Sequence, residues 1–292
     1  MSKSKAPKEK GKGSSRRFYL IAGAVVLFAA AGVFMYRYLS EQIQIKRAAD
    51  ANRELRGEVV NESLIDLNDN SYDVGEFLRS GDDSGAPGSD SYPDNEPFKP
   101  YTSPNDFEKL KSKNSDSVAW VIIPETDMSF PVMHHEGDDT YYLYRNFNRE
   151  SSIYGAAYIE DYNKSSFIDP CIVIYGHDIS NGEWFGELQT IFTDPSRFER
   201  SRNIKVYLPN GERTYRVFAA VPYGREHILH YYDFSEEKDY NIFIQKAVSS
   251  NSVNSRIDRD EIPEYGTPLL IFSTCLKGDY SHRFLVLAYQ CQ

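Results

Sequence analysis

The sequence LLIFSTC occupies residues 269–275, and a second apolar run, RFLVLAY, occupies residues 283–289. Short runs of aliphatic, β-branched and aromatic residues are typical of buried β-strands. Because only the turn-forming segment 276–282 separates these runs, we expect them to pair as a β-hairpin. Such a hairpin brings the Cys275 thiol and the Arg283 guanidinium together at one end of a sheet. A fixed positive charge favours the thiolate, so the pattern predicts a reactive cysteine.

A third apolar run also ends at a side chain that can take part in catalysis, here a histidine. Residues 171–178 read CIVIYGHD, which predicts a buried strand with His177 at its end. Attack on a peptide carbonyl needs a nucleophile, a proton donor for the leaving amine and a group that stabilises the developing oxyanion. We assign these three roles to Cys275, His177 and Arg283.

Each of these residues also fits a structural role. A lone Cys275 would be an ordinary buried residue, and His177 could end a strand without reacting. Arg283 could simply form an exposed ion pair with Asp279, a contact that contributes little. Asp178 could orient the imidazole of His177 or simply face water. His282 is a rival to His177, although a strand directs neighbouring side chains to opposite faces.

The combination of motifs resembles the sortases. Sortase motifs are a strand ending in Thr-Leu-x-Thr-Cys, an upstream Gly-His, and an Arg on the strand after the cysteine. Here the first motif reads Ile-Phe-Ser-Thr-Cys at residues 271–275, the second lies at residues 176–177 and the third is Arg283. The resemblance covers roughly residues 101–292.

The cysteine strand departs from the family pattern at its first two motif positions. Ile271 and Phe272 stand where the family has Thr and Leu, and both positions are expected to serve strand packing. Ser273 and Thr274 carry the hydroxyls nearest to Cys275. Both are therefore candidate substrate-binding residues, and the resemblance implies that Thr274 contacts the substrate or its oxyanion.

The fold is expected to be mainly β. From about residue 101, the apolar runs predict about eight short strands, which suits a closed or nearly closed barrel. Residues 235–248 show helical spacing and lie in the connection before the Cys275 strand. A long helix there, together with helices before the first strand, resembles class B sortases. We therefore expect an eight-stranded sortase-type β-barrel with N-terminal helices and this long connecting helix, which would wall one side of the substrate groove.

The N-terminal segment predicts a membrane anchor. Residues 1–17 are strongly basic, and residues 18–36 form an uncharged apolar run close to the roughly 20 residues that span a bilayer. Positive charge ahead of the span predicts a cytoplasmic tail at 1–17, a single transmembrane signal anchor at 18–36 and an extracytoplasmic remainder. The alternative is a cleaved secretory signal with its small-residue site at 29–31.

Residues 37–100 are expected to form a helical stalk and a flexible linker. Residues 40–56 are helix formers that are polar nearly all round, as in a solvated helix. A dimerising coiled coil would need sustained apolar heptads, which are missing. Residues 81–100 are rich in Gly, Ser, Asp and Pro, which is typical of a linker. The catalytic domain would then occupy residues 101–292.

Composition and the remaining motifs bear on nucleic-acid binding, metal binding and disulfide formation. The net charge of −10 argues against a nucleic-acid-binding protein. The His and acidic residues at 134–139 invite a metal site but lack a recognisable ligand spacing. The resemblance to sortases implies that no metal or organic cofactor is needed. Cys171 and Cys291 could form a disulfide in an oxidising exterior if their strands adjoin, which would leave Cys275 as the free thiol.

The family resemblance implies a reaction and its partners. The chain would cleave a C-terminal sorting signal of the Asn-Pro-x-Thr type after Thr, through a thioacyl-enzyme. It would then attach the surface protein to an amine of Gram-positive cell-wall peptidoglycan or its lipid-linked precursor. A pilus-assembling sortase would instead use a pilin Lys. A papain-like hydrolase usually has Cys before His, the reverse of the order here, and a non-enzymatic anchored binding domain would not need the Cys275 thiol.

Overall fold

The computed structural model describes residues 12–65, 103–179 and 184–291, with side chains from residue 18 onward. The expected linker at 81–100 lies outside these residues. The chain divides into two compact units, Met1–Ala51 and Asn52–Gln292.

The first unit is helical where it is described. Helix α1 (Lys12–Val59) begins in this unit, and the apolar side chains between residues 18 and 36 are exposed. Among the described residues, one helix, Phe18–Val59, is long and apolar enough to cross a membrane, with a mean hydropathy of 2.3 in its most apolar window.

The second unit is built on a sheet. In the described part of the chain its strands are β1 (Ser117–Ile122), β2 (Ser129–Met133), β3 (Ala157–Tyr158), β4 (Cys171–Tyr175), β5 (Asn203–Leu208), β6 (Gly211–Tyr223), β7 (Arg256–Ile257), β8 (Leu269–Leu276) and β9 (Asp279–Gln290). The order is β5-β1-β2-β3-β4-β8-β9-β6-β7, and β5 also pairs with β6. This last pairing closes eight strands into a ring, to which the two-residue β7 adds at β6. The predicted eight-stranded barrel is therefore confirmed.

Helices accompany the barrel at both of the predicted places. They are α2 (Phe107–Lys113), α3 (Gly186–Thr193), α4 (Pro195–Ser201), α5 (Ile228–Tyr231) and α6 (Glu237–Val248). Helix α2 precedes the first strand, and α6 is the predicted long helix in the connection before the Cys275 strand. Helices α5 and α6 cover the outer faces of β4, β6, β8 and β9 with an apolar layer.

The barrel interior and its outer surface take alternate residues of each strand. On β8, Leu270 and Phe272 join the cluster to which all eight barrel strands contribute, whereas Leu269 and Ile271 join the outer layer under α5 and α6. This alternation follows from the two-residue period of a strand. It decides which side chains near the end of β8 share a face.

The compact unit begins earlier than the expected Tyr101. Leu55 and Val59, at the end of α1, are buried with Trp120 on the outer face of β1. The side-chain amide of Asn52 also donates to the Ser129 carbonyl at 3.0 Å. Residues 40–56 were expected to form a fully solvated helix, and the end of that helix is instead packed. Two apolar residues at i and i+4 form a stripe only one turn long, which is too short to stand out in a polar sequence.

Candidate active site

His177 follows β4, and Cys275 lies near the end of the neighbouring parallel strand β8, at the same end of the barrel. Strands β4 and β8 pair in a register that matches Tyr175 with Ser273, and the Gly176 amide donates to the Ser273 carbonyl at 3.2 Å. His177 and Cys275 each lie two residues beyond that matched pair. Because alternate residues of a strand share a face, Cys275 lies on the outer face of β8, and the register brings His177 to the same end of the neighbouring strand.

The glycine before the histidine is required by close packing. A Cβ on Gly176 would lie 2.5 Å from the nearest ring atom of Phe185, which is fully buried. Any larger residue would push apart the end of β4 and the aromatic side chain that precedes α3. The Gly-His motif therefore combines a packing residue with a chemically capable one.

Arg283 reaches the thiol across the predicted hairpin, which is formed. Cys275 and Arg283 are directly matched in the antiparallel register of β8 and β9, and Arg283 Nη1 donates to Cys275 Sγ at 3.2 Å. Asp279 is engaged instead with His282, whose Nδ1 lies 2.7 Å from its carboxylate. The alternative of an Arg283–Asp279 surface pair therefore does not describe this structure. His282 is an exposed residue of β9.

The imidazole of His177 is held by the backbone. Its Nε2 atom lies 2.8 Å from the Leu143 carbonyl oxygen. Because a carbonyl can only accept, Nε2 is the nitrogen that carries hydrogen, and Nδ1 remains for proton transfer. The ring of Tyr144 lies 6.3 Å from that of His177, centroid to centroid. The sequence did not reveal this partner, since a backbone carbonyl has no residue-type signature.

Asp178 has no bond to the imidazole. Neither of its carboxylate oxygens, both inaccessible to solvent, has a hydrogen-bond partner in the part of the chain that the structure describes. Burial raises the pKa of Asp178, and the charge of Lys277 only partly opposes this.

The two predicted substrate-binding residues point in opposite directions. Ser273 is buried on the same face as Cys275, whereas Thr274 faces the barrel interior opposite Phe284. The Thr274 hydroxyl is buried and has no hydrogen-bond partner among the described residues. The side chains of Thr274 and Cys275 therefore lie on different sides of β8.

A glutamine that sequence reasoning missed holds the backbone at the cysteine. The side chain of Gln189, on α3, donates to the Cys275 carbonyl at 3.2 Å and accepts from the Lys277 amide at 2.9 Å. Gln189 is only 8% exposed. The side-chain amide of Gln189 therefore links α3 to the backbone at the end of β8 and fixes its position. Nothing in its sequence context, a short helix a long way from Cys275, pointed to this contact.

A hydrogen bond between side chains ties the connection between β6 and β8 to the segment that follows β3. His227, which precedes α5, approaches the Glu160 carboxylate with Nε2 at 2.7 Å. Burial raises the pKa of Glu160, and the contact with His227 opposes that effect. The His227 ring also lies 6.2 Å from that of Tyr175, centroid to centroid, on the face that carries Cys275. The connection with its helices thus flanks the outer face near the thiol.

All three cysteines are free thiols, so Cys171 and Cys291 are not bonded to each other. Burial raises the pKa of Cys171 well above its usual value and that of Cys291 to about 11. The histidines at 134 and 135 are bound by protein groups: His134 contacts Ser165 and Asp161, and His135 contacts Asp116.

Comparison with known proteins identifies the type of barrel. No protein-family model matches the sequence. Sortase B of Listeria monocytogenes is 24% identical over 160 residues, which are 52% of this chain and 61% of that protein. The chain thus spans about three fifths of the length of this curated relative.

Two solved structures resemble the barrel. The X-ray structure of Clostridium perfringens sortase B is 25% identical, with a TM-score of 0.55 over 64% of this chain and 100% of that one. A Staphylococcus aureus sortase B–substrate complex is 23% identical, also with a TM-score of 0.55, over 64% of this chain and 84% of that one. The barrel with its connecting helix is the fold of these proteins.

Proposed function

We propose that this chain, a relative of the class B sortases with their fold, is a cysteine transpeptidase. The observation that carries the proposal is the register of three adjacent strands: Cys275 on β8 is matched with Arg283 on β9, which donates to its thiol, and His177 follows β4 at the same end. A thiol beside a fixed cation, with an oriented imidazole on the next strand, has the groups that acyl transfer needs.

In the first half of the proposed reaction, the Cys275 thiolate attacks the Thr carbonyl carbon of an Asn-Pro-x-Thr sorting signal. The C–N bond to the next residue breaks, and protonated His177 gives its proton to the departing amine. Arg283 stabilises the thiolate before attack and the oxyanion during it. The product is a thioester between Cys275 and the substrate protein.

In the second half, an amine of peptidoglycan or its lipid-linked precursor attacks the thioester. His177 accepts the proton of the amine, an amide bond forms, and Cys275 leaves as a thiolate. Every step uses only groups of the chain and the two substrates. The substrate complex of the Staphylococcus aureus relative supports a substrate site on this fold.

Ser273 and Thr274 complete the proposed site in different ways. Ser273 shares the face of Cys275, so its hydroxyl is the one proposed to touch substrate. The Thr274 side chain faces the interior, so its proposed contact with the substrate or oxyanion uses the backbone. The connection that contains α5 and α6 is proposed to flank the groove.

We also propose that the chain works at a membrane. The proposed order is a cytoplasmic tail at 1–17, an anchor at 18–36, a stalk and linker at 37–100, and a catalytic domain at 101–292 on the outer side. The apolar helix Phe18–Val59 supports an anchor. The packing of Leu55 and Val59 gives the end of the stalk helix a second role, as part of the compact unit.

The test is intact-mass analysis of the full chain in detergent micelles with a library of sorting-signal peptides. Hydroxylamine, triglycine and a Lys-containing peptide serve as competing acceptors, so the preferred amine is read in the same experiment. We expect cleavage after Thr, a thioacyl adduct on the protein, and loss of both in Cys275→Ala and His177→Ala. Cys291→Ala is the matched control and should react as the wild type does.

A different outcome would favour the other functions. Preference for the Lys peptide would support pilus assembly. If no peptide forms an adduct and Cys275 also resists a thiol-alkylating reagent, the chain is an anchored binding domain.

A further inference from the structure

The orientation of His177 depends on one backbone carbonyl, and that carbonyl is itself tightly held. Leu143 ends a 3₁₀ turn (Tyr141–Leu143), and its oxygen accepts the hydrogen bond from His177 Nε2 at 2.8 Å. We infer that Gly155 is a positioning residue, which fixes the tautomer and direction of the His177 imidazole by packing against the Leu143 carbonyl. This inference rests on the proposed transpeptidase function and adds residues to that site.

Gly155 approaches the turn so closely that no side chain fits between them. Its φ angle is +58°, in the left-handed region that disfavours residues with a Cβ. A Cβ there would lie 2.4 Å from the Tyr142 carbonyl oxygen and 2.8 Å from the Leu143 carbonyl oxygen. Both contacts are to backbone, which cannot rotate away as a flexible side chain can. Any substitution at Gly155 must therefore displace the carbonyl that holds His177.

The backbone on either side of Leu143 is tied to the segment around Gly155. The Ala156 amide donates to the Tyr142 carbonyl, and the Ser152 amide donates to the Tyr144 carbonyl, each at 2.9 Å. The carbonyls before and after Leu143 are thus occupied by segment 152–156. The Leu143 carbonyl between them is the one that meets the imidazole.

A buried polar network fixes the turn from its other side. Tyr142 is 1% exposed, and its hydroxyl donates to Asp116 at 2.9 Å and accepts from the Asn114 side chain at 2.8 Å. Asp116 also accepts from Arg149 at 2.9 Å. Burial, together with the hydrogen bond to Asp116, raises the pKa of Tyr142 to about 12, so the hydroxyl stays a donor at neutral pH. The turn is therefore anchored through a side chain that does not reach His177.

This arrangement has a chemical consequence for the proposed reaction. With Nε2 bound to the carbonyl, only Nδ1 can give a proton to the leaving amine and take one from the acceptor. If the carbonyl moves, the imidazole loses its fixed tautomer and direction. Proton transfer then slows, whereas peptide binding on the face of β8 changes little, so the loss falls on kcat rather than on KM.

The test compares two glycines at positive φ. Gly155→Ala introduces the clash, whereas Gly137→Ala is a matched control, since Gly137 has a φ of +84° but no atom within 4 Å of a Cβ. Both variants place an L residue in the left-handed region, and they differ in contact with the Leu143 carbonyl. The full chain, labelled with ¹⁵N-histidine in detergent micelles, is measured by NMR and by steady-state transpeptidation of a sorting-signal peptide.

The His177 ring signal is assigned as the one that disappears in His177→Gln. We expect this signal to report an Nε2–H tautomer in the wild type and in Gly137→Ala. In Gly155→Ala that signal should change and kcat should fall roughly ten- to hundredfold, with little change in KM. If Gly155→Ala does not fold, Tyr142→Phe serves instead, since it removes only the anchoring hydroxyl and should shift the same signal in the same direction.

The inference is overturned if the variant that folds keeps both the tautomer signal and kcat of the wild type. It is also overturned if Gly137→Ala loses as much activity as Gly155→Ala. Failure of the proposed function gives a different result: no variant, including the wild type, would turn over any sorting peptide. The tautomer signal would then still change in Gly155→Ala and stay unchanged in Gly137→Ala.

Discussion

Arg283 Nη1 lies 3.2 Å from Cys275 Sγ, and the two residues face each other directly across β8 and β9. The hydrogen bonds of the hairpin therefore set the position of this cation, and no flexible loop stands between it and the thiol. A charge that is fixed before substrate arrives needs no reorganisation during the reaction.

Replacement of Arg283 should therefore slow acylation without unfolding the chain. We expect Arg283→Ala to reduce the single-turnover rate of thioacyl formation by about 10²–10³, as loss of an oxyanion donor does elsewhere. Arg283→Lys should lose less, since it keeps the charge but not the planar fork. Arg216→Lys, at a residue that pairs with Glu261 near the other end of β9, is the control and should keep the wild-type rate. Full activity in Arg283→Ala would remove this residue from the site.

The three cysteines should differ sharply in their reaction with an alkylating reagent. Because burial raises the pKa of Cys291 to about 11, only about one molecule in a thousand carries its thiolate at pH 8. Cys171 is fully buried, and burial raises its pKa well above the usual value for a thiol. Peptide mapping of the native protein after a short exposure to iodoacetamide should find the label on Cys275, and native Cys275→Ala should take up almost none. Denatured protein should be labelled at all three positions. Faster labelling of Cys291 than of Cys275 would contradict this ranking.

The interior position of Thr274 predicts an unusual effect on stability. Its buried hydroxyl has no hydrogen-bond partner in the described parts of the chain, so Thr274→Val should leave the free energy of unfolding unchanged or raise it by about 1 kcal/mol. Ser129→Ala is the matched control, since the Ser129 hydroxyl accepts from Trp120 Nε1 at 2.9 Å within the core. That change should cost about 1–3 kcal/mol in a denaturant titration. Equal losses in the two variants would mean that Thr274 has a bonding partner.

The end of α1 should contribute to the stability of the barrel unit. Leu55 is 6% exposed in a cluster with Leu110 and Trp120, so Leu55→Ala should lower the free energy of unfolding by about 2–5 kcal/mol. Leu64, which is 52% exposed, provides a control of the same residue type. Leu64→Ala should change the free energy of unfolding by less than about 0.5 kcal/mol. Denaturant unfolding of the full chain in micelles, followed by tryptophan fluorescence, measures both. A stalk helix that is independent of the barrel would give two small effects of similar size.

The strands near the candidate site were predictable because each carries its own pattern. The apolar runs that end at Cys275 and His177 became β8 and β4, and the run from Arg283 lies within β9. The helix at Glu237–Val248 was predictable in the same way, since its periodicity is local. The packing of the end of α1 was not predictable, because Leu55 and Val59 are buried only through their contact with the outer face of β1.

The sequence by itself determined which side chains could do chemistry: a thiol, an imidazole and a guanidinium, each next to a strand that its own residues specify. Only the tertiary structure decided how they are held. The Leu143 carbonyl that orients His177, the Gln189 amide that fixes the backbone at Cys275, and the close approach of Gly155 come from distant segments of the chain. Two of these three contributions are made by the backbone, which is chemically the same at nearly every residue. No residue type marks the Leu143 carbonyl as the partner of His177, and all three contacts exist only once the closed barrel has brought the segments together.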